Sequence, residues 1–181
     1  MRLICNLWGA HQIFQGWFQV VETELKAIFQ KAASLGFIGL FIDEKYGGAG
    51  LGITEQCILQ EEFSAVDLGL NVAITTASFG AEVIQQFGTE EQKHKYLPPV
   101  TRGELILGSA FTEPDAGSDL AAATTSAVRD GDELVINGPK MFITNGTRAG
   151  ALVCFVLTDP ENPNRHKRHS MVIVETGRDG Y

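Results

Sequence analysis

The chain has 181 residues, room for one large domain or two small ones, and its 44% hydrophobic and 20% charged residues exclude a disordered tail, a fibrous repeat and a low-complexity linker. Lys plus Arg number 14 against 22 Asp plus Glu, a formal net charge of -8, so nucleic acid is excluded as the main partner. Cys5, Cys57 and Cys154 are scattered, form no Cys-x-x-Cys and give neither a disulfide framework nor a zinc knuckle, which fits a reducing compartment.

In chain order, Met1 to Val20 carries Trp8, Phe14, Trp17 and Phe18 but no secretory h-region, and no stretch reaches the roughly 18 apolar residues of a membrane span. The expectation is a soluble, cytoplasmic protein. Leu25, Ile28, Phe29 and Ala32 follow helical spacing, with Gly36 as a stop. Thr54 to Val66 predicts a second helix and Leu70 to Phe87 a third, which is apolar on most sides and therefore belongs in a core. Gly88 ends it. Thr89-Glu90-Glu91-Gln92 is a capping box that opens a fourth helix, which is expected to stop at Pro98-Pro99.

Near residue 105 the period becomes that of strands. Leu105 to Thr112, Thr124 to Arg129, Glu133 to Asn137, Lys140 to Thr144, Ala151 to Thr158 and Ser170 to Thr176 are the candidates. Asp130-Gly131, Asn137-Gly138 and Asn145-Gly146 supply tight turns. Such spacing predicts a sandwich or barrel, and ending on Gly180-Tyr181 directly after a strand leaves it incomplete. The fold class is α+β: a helical domain over 1–104 and a truncated β-domain over 105–181.

Several catalytic constellations are absent. There is no P-loop and no Gly-x-Ser-x-Gly elbow. The glycines from Gly47 to Gly52 have the wrong spacing for a dinucleotide fingerprint and lie between helices. His166 and His169 sit in a run of cations without a carboxylate or thiol partner, so no metal site is expected. Thr112-Glu113-Pro114-Asp115-Ala116-Gly117-Ser118-Asp119 is the informative segment. Composition alone favours an ordinary connection between strands. The competing reading is a nest, in which main-chain N–H groups near Gly117 and the hydroxyls of Thr112 and Ser118 meet an anionic ligand.

Phe111 to Asp119 resembles a signature of the acyl-CoA dehydrogenase family, and Asn137-Gly138-Pro139-Lys140-Met141-Phe142-Ile143-Thr144-Asn145-Gly146 resembles its second signature at the expected distance. Leu35-Gly36-Phe37, Tyr46-Gly47-Gly48-Ala49-Gly50, and Gly88 to Lys93 with Tyr96-Leu97-Pro98 are similar to passages of its N-terminal domain. The resemblance runs from about residue 21 to 181; residues 1–20 stand outside it.

This resemblance implies an N-terminal helical domain, a middle β-domain and a C-terminal helical domain. It implies FAD and the oxidation of an acyl-CoA thioester to the α,β-unsaturated product, by removal of the α proton and transfer of the β hydride to flavin N5. Ser109, Ala110, Phe111, Thr112, Gly117 and Ser118 correspond to the stretch that cradles the cofactor, with Thr112 on the pyrimidine side of the flavin. Phe142, Ile143 and Thr144 correspond to a second flavin strand. Phe142 and Ile143 read equally as barrel core. Ser118 is also a candidate for the coenzyme A moiety, and Arg165, Lys167 and Arg168 for attracting its phosphates. Asp115 stands where the family has Gly, and Phe142 where Trp is common. Glu113 and Asp119 belong to the motif, yet neither is the expected base. That base is a Glu of the C-terminal domain, so no catalytic residue is expected within these 181. Electron-transfer flavoprotein is the implied acceptor and a homotetramer the implied assembly. Two rival readings remain: a non-catalytic fragment that pairs with a family member, and an acyl-CoA oxidase that gives its electrons to oxygen.

Overall fold

The structure is a computed structural model, and it describes Leu3, Ile4 and residues 26–177. Expectations for Cys5, the aromatic residues of Met1 to Val20, Leu25 and Gly180-Tyr181 lie outside the described residues. The chain separates into two compact units, Gly9–Leu107 and Gly108–Tyr181 with Met1–Trp8.

In the first unit, helix α1 covers 26–34 and ends as expected at Gly36, which takes a left-handed φ of 77°. A short 3-10 turn, Glu44–Tyr46, leads into the glycine-rich loop. The side chain of Gln85 fastens the preceding loop. It accepts from Asp43 N–H at 2.8 Å and donates to the Phe41 carbonyl at 3.1 Å. Tyr46 is buried and donates its hydroxyl to Glu90 at 2.8 Å, while Thr101 donates to the Tyr46 carbonyl at 3.2 Å. Gly48 is required here by close approach, because any Cβ would run into the Ile42 carbonyl. Helix α2, Ile53–Val66, follows and buries none of its residues.

The expected third helix is two helices. α3 spans Leu68–Thr75 and α4 spans Ala81–Phe87. Apolar periodicity runs through both, but Thr75 and Thr76 return their hydroxyls to the carbonyls of Asn71 and Val72, and Gly80 is left-handed at φ 101°. The released backbone then bonds elsewhere: Leu107 N–H donates to the Ala77 carbonyl at 2.9 Å. α5, Glu90–Thr101, opens with the expected capping box. Thr89 accepts from Gln92 N–H at 3.2 Å and Gln92 accepts from Thr89 N–H at 2.9 Å. It does not stop at Pro98-Pro99. Both prolines lie inside the helix, which burial of Leu97 and Val100, each 0% exposed, carries on to Thr101.

The second unit is built on a six-stranded sheet. The strands are β1 (Leu3–Ile4), β2 (Leu107–Ala110), β3 (Ser126–Asp130), β4 (Glu133–Asn137), β5 (Ala151–Leu157) and β6 (His169–Glu175). Their order is β1-β4-β3-β5-β2, with β6 also paired to β5. β3 and β4 form the expected hairpin, turning at Gly131 in the left-handed region. β5 and β6 are antiparallel from Ala151↔Glu175 to Leu157↔His169. β1 runs parallel to β4 and covers its outer edge. Ala110, Ala127, Ile136, Leu152, Cys154, Val156 and Val174 make the core. Lys140 to Thr144 is not a strand: 138–150 is irregular, with Phe142 at φ 57° and Asn145 at φ 63°. Positive φ breaks the extended backbone a ladder requires, whatever the alternation of side chains says.

Candidate functional site

Two loops of the β unit hold the residues singled out in the sequence. The first leaves β2, where Ser109 and Ala110 point to opposite faces. Ala110 enters the core, while the Ser109 hydroxyl is buried without a hydrogen-bond partner. Beyond β2 the chain folds into a tight turn closed by two bonds, Glu113 N–H to the Ala116 carbonyl at 2.8 Å and Ala116 N–H to the Glu113 carbonyl at 3.2 Å. Pro114 and Asp115 form its exposed tip. The added charge of Asp115 therefore stands in solvent. Gly117 and Ser118 are exposed, and a Cβ on Gly117 would meet nothing within 4 Å, which leaves its backbone open to a ligand.

The second loop follows β4. Gly138, at φ 149°, passes so close to Thr125 that a Cβ would lie 2.5 Å from the Thr125 Cα. Thr125 donates its hydroxyl to the Pro139 carbonyl at 3.0 Å. The two loops meet where Met141 N–H donates to the Thr112 carbonyl at 2.9 Å. Phe142 comes next, 86% exposed. A bulky residue held at positive φ with its ring in solvent is not barrel core; its conformation presents the ring outward. Ile143 does pack against the core cluster. Thr144 is exposed in the turn that follows.

Beneath this junction lies a buried ion pair. Lys140 Nζ is 2.8 Å from Glu113 Oε1, with the two side chains 6% and 3% exposed. The ammonium also donates to the carbonyls of Phe111 at 3.0 Å and Phe155 at 2.7 Å. Glu113 accepts further from Thr124 N–H, the Thr124 hydroxyl and Thr125 N–H at 2.7 to 3.0 Å. Burial alone would raise the Glu113 carboxyl. The Lys140 ammonium and the donors of Thr124 and Thr125 outweigh it and hold the pKa at about 2. A carboxylate so held is a poor proton acceptor near neutrality.

The cationic segment is not uniformly open. Arg165 donates to both carboxylate oxygens of Asp119 at 2.6 Å, and this contact lowers the Asp119 pKa. Arg168 donates from Nε to the Asn162 carbonyl at 2.7 Å, while Lys167 is exposed. His169 bonds the Ala123 carbonyl at 2.9 Å and stacks on Phe155 with centroids 4.6 Å apart, and Phe155 meets Phe111 edge-on. The Glu113–Lys140 pair was not foreseen. Its sequence signal was only a pair of opposite charges, one in each motif, 27 positions apart.

The family model for the acyl-CoA dehydrogenase N-terminal domain matches residues 13–104, and that for the middle domain matches 108–181. The N-terminal match thus begins within residues 1–20, earlier than the quoted motifs reach. The short-chain-specific acyl-CoA dehydrogenase of Clostridium acetobutylicum is 42% identical over 154 residues, covering 84% of this chain and 40% of that protein. Acryloyl-CoA reductase (NADH) of Anaerotignum propionicum is 39% identical over 155 residues, covering 84% of this chain and 39% of that protein. A solved glutaryl-CoA dehydrogenase from Mycobacterium smegmatis in complex with FADH2 superposes with a TM-score of 0.74 at 30% identity, over 90% of this chain and 40% of that one. The chain spans about two fifths of the length of the curated relatives it matches. Among the described residues no helix is long and apolar enough to cross a membrane. With family models matched over both units, the chain belongs to the acyl-CoA dehydrogenase family.

Proposed function

We propose that this chain supplies the flavin-facing portion of an FAD-dependent acyl-CoA dehydrogenase. The observation that carries the reading is the junction of the two loops, where Thr112 and Met141 bond directly; in the same two loops the Ser109 hydroxyl is buried without a partner and the Phe142 ring is exposed. A buried hydroxyl without a partner is costly unless a ligand satisfies it. The residues present therefore fit an anionic, aromatic cofactor, and the FADH2 complex of the glutaryl-CoA dehydrogenase supports the choice of FAD.

Bound FAD would supply the acceptor for a hydride from the thioester β carbon. The chain's own part is to bind and orient. Ser109, Thr112 and Ser118 offer hydroxyl donors, and the open backbone at Gly117 lets an anionic group come close. Phe142 offers an exposed apolar ring, and Thr144 a further exposed hydroxyl. Lys167 is the exposed cation best suited to draw in coenzyme A phosphates; Arg165 serves instead to clamp Asp119. The α proton is removed by the family's Glu, which none of these residues supplies. Electron-transfer flavoprotein as acceptor and a homotetramer as assembly belong to the same proposal.

The test is the visible spectrum of the purified chain with added FAD. Flavin bands at near one equivalent that survive gel filtration are expected. A protein that remains colourless overturns the reading in favour of a non-catalytic interaction partner. Release of peroxide on mixing a flavin-loaded preparation with thioester in air would instead favour an oxidase.

A further inference from the structure

We propose that Glu113 and Lys140 are positioning residues that set the register between the two flavin-facing loops; the inference rests on the flavin reading above. The three hydrogens of the Lys140 ammonium have three acceptors, and each lies on a different segment: Phe111 at the exit of β2, Glu113 in the turn, and Phe155 in β5. Glu113 in turn draws in Thr124 and Thr125 from the approach to β3. Four stretches of chain are thereby tied to one point.

That point lies next to the residues that matter. Thr112 sits between Phe111 and Glu113, and Met141 and Phe142 follow Lys140. No strand ladder holds this region, because 138–150 is irregular. The Met141 N–H to Thr112 carbonyl bond is the direct backbone link between the loops, and Phe142 sits beside it in a strained conformation. Strain of that kind persists only when the surroundings over-determine it. A buried ion pair is weak evidence for stability, since apolar residues of similar volume often do as well, but it is well suited to fixing register. Here it substitutes for the missing ladder.

The positioning role separates from a structural one in Lys140→Arg and in the double variant Glu113→Gln with Lys140→Met. Arginine keeps the charge, but its planar fork cannot aim donors at three divergent acceptors as an ammonium does. The double variant removes both charges and leaves neither one unpaired. Thermal midpoints, FAD dissociation constants and amide hydrogen exchange at Met141 are measured on the 181-residue chain and both variants. The expected result is a thermal midpoint within a few degrees of the parent, FAD binding weakened at least about tenfold, and faster exchange at Met141 than at the β5–β6 amides. A folded variant that binds FAD within twofold of the parent overturns the positioning role and leaves the flavin reading standing. A parent chain that binds no FAD overturns the flavin reading, and this proposal with it.

Discussion

The helical and β units solve the same problem with opposite materials. In the β unit, Val153, Val156 and Val174 are at most 1% exposed, and the buried Glu113–Lys140 ion pair has every donor and acceptor engaged. In the helical unit a compact loop core around Ile38, Ile42 and Tyr46 coexists with a helix, α2, that has no fully buried residue. Ile53, Ile58, Val66, Leu68 and Phe87 stand 54 to 87% exposed there. Burial in the helical unit is thus concentrated in a backbone-tight loop, whereas in the β unit it is spread along a sheet and pinned by charge. The two should fail in different ways.

The largest effect is expected at Gly48. Its Cα packs against the Ile42 carbonyl, and Gly48→Ala forces backbone apart rather than bending a side chain. A loss of about 4 kcal/mol is expected, at the upper end for a single substitution. Hydrogen exchange reads the comparison directly: amides of the 39–52 loop should lose protection while those of β5 and β6 keep theirs. Equal loss in both would show that the units unfold together.

Acid should act on the β unit. The Glu113 carboxyl is held near pKa 2 against an ordinary value of 4.5. Its contribution is therefore complete above pH about 4.5 and is lost as pH falls towards 2. The full difference corresponds to about 3 kcal/mol. Urea midpoints between pH 6 and 2.5 should fall for the parent chain, and Glu113→Gln should show a correspondingly shallower fall. Matching slopes would assign the acid sensitivity to other carboxylates.

How far the sequence discloses this structure depends on the range of the forces involved. The capping box of Thr89 and Gln92 was legible because it is made within four residues, and so was the β3–β4 hairpin, whose turn chemistry is local. The break between α3 and α4 was not, because apolar periodicity runs through it; the carbonyl of Ala77 freed there is taken up by Leu107 N–H from thirty positions away. Pro98-Pro99 misled as well, since a local penalty was outweighed by burial of Leu97 and Val100. At the candidate site, the motifs fixed which residues to inspect, but their alternation implied a strand where Phe142 is left-handed. The Glu113–Lys140 pair lies wholly beyond local pattern: neither charge has a periodic neighbour that marks it as buried.

A smaller effect tests whether local chemistry alone holds α5. Thr89→Ala removes the acceptor for Gln92 N–H and should cost about 1 kcal/mol. A loss of helical ellipticity without a change in the β5–β6 exchange rates would keep the effect inside the helical unit.

The smallest effect is the sharpest statement of the difference. Ile58 lies on α2 at 54% exposure, and Val156 lies on β5 at 0%. Val156→Ala should cost about 2 kcal/mol, because removed methyl groups leave a cavity in a sheet that cannot collapse around it. Ile58→Ser should change stability by less than about 0.5 kcal/mol, because the side chain already meets water for more than half its surface. Ile58→Ser should raise solubility as it leaves the thermal midpoint unchanged. A drop of several degrees instead would mean that α2 packs in solution on a surface it does not touch in this structure, and the contrast between a self-sufficient β unit and an incompletely buried helical unit would then have to be redrawn.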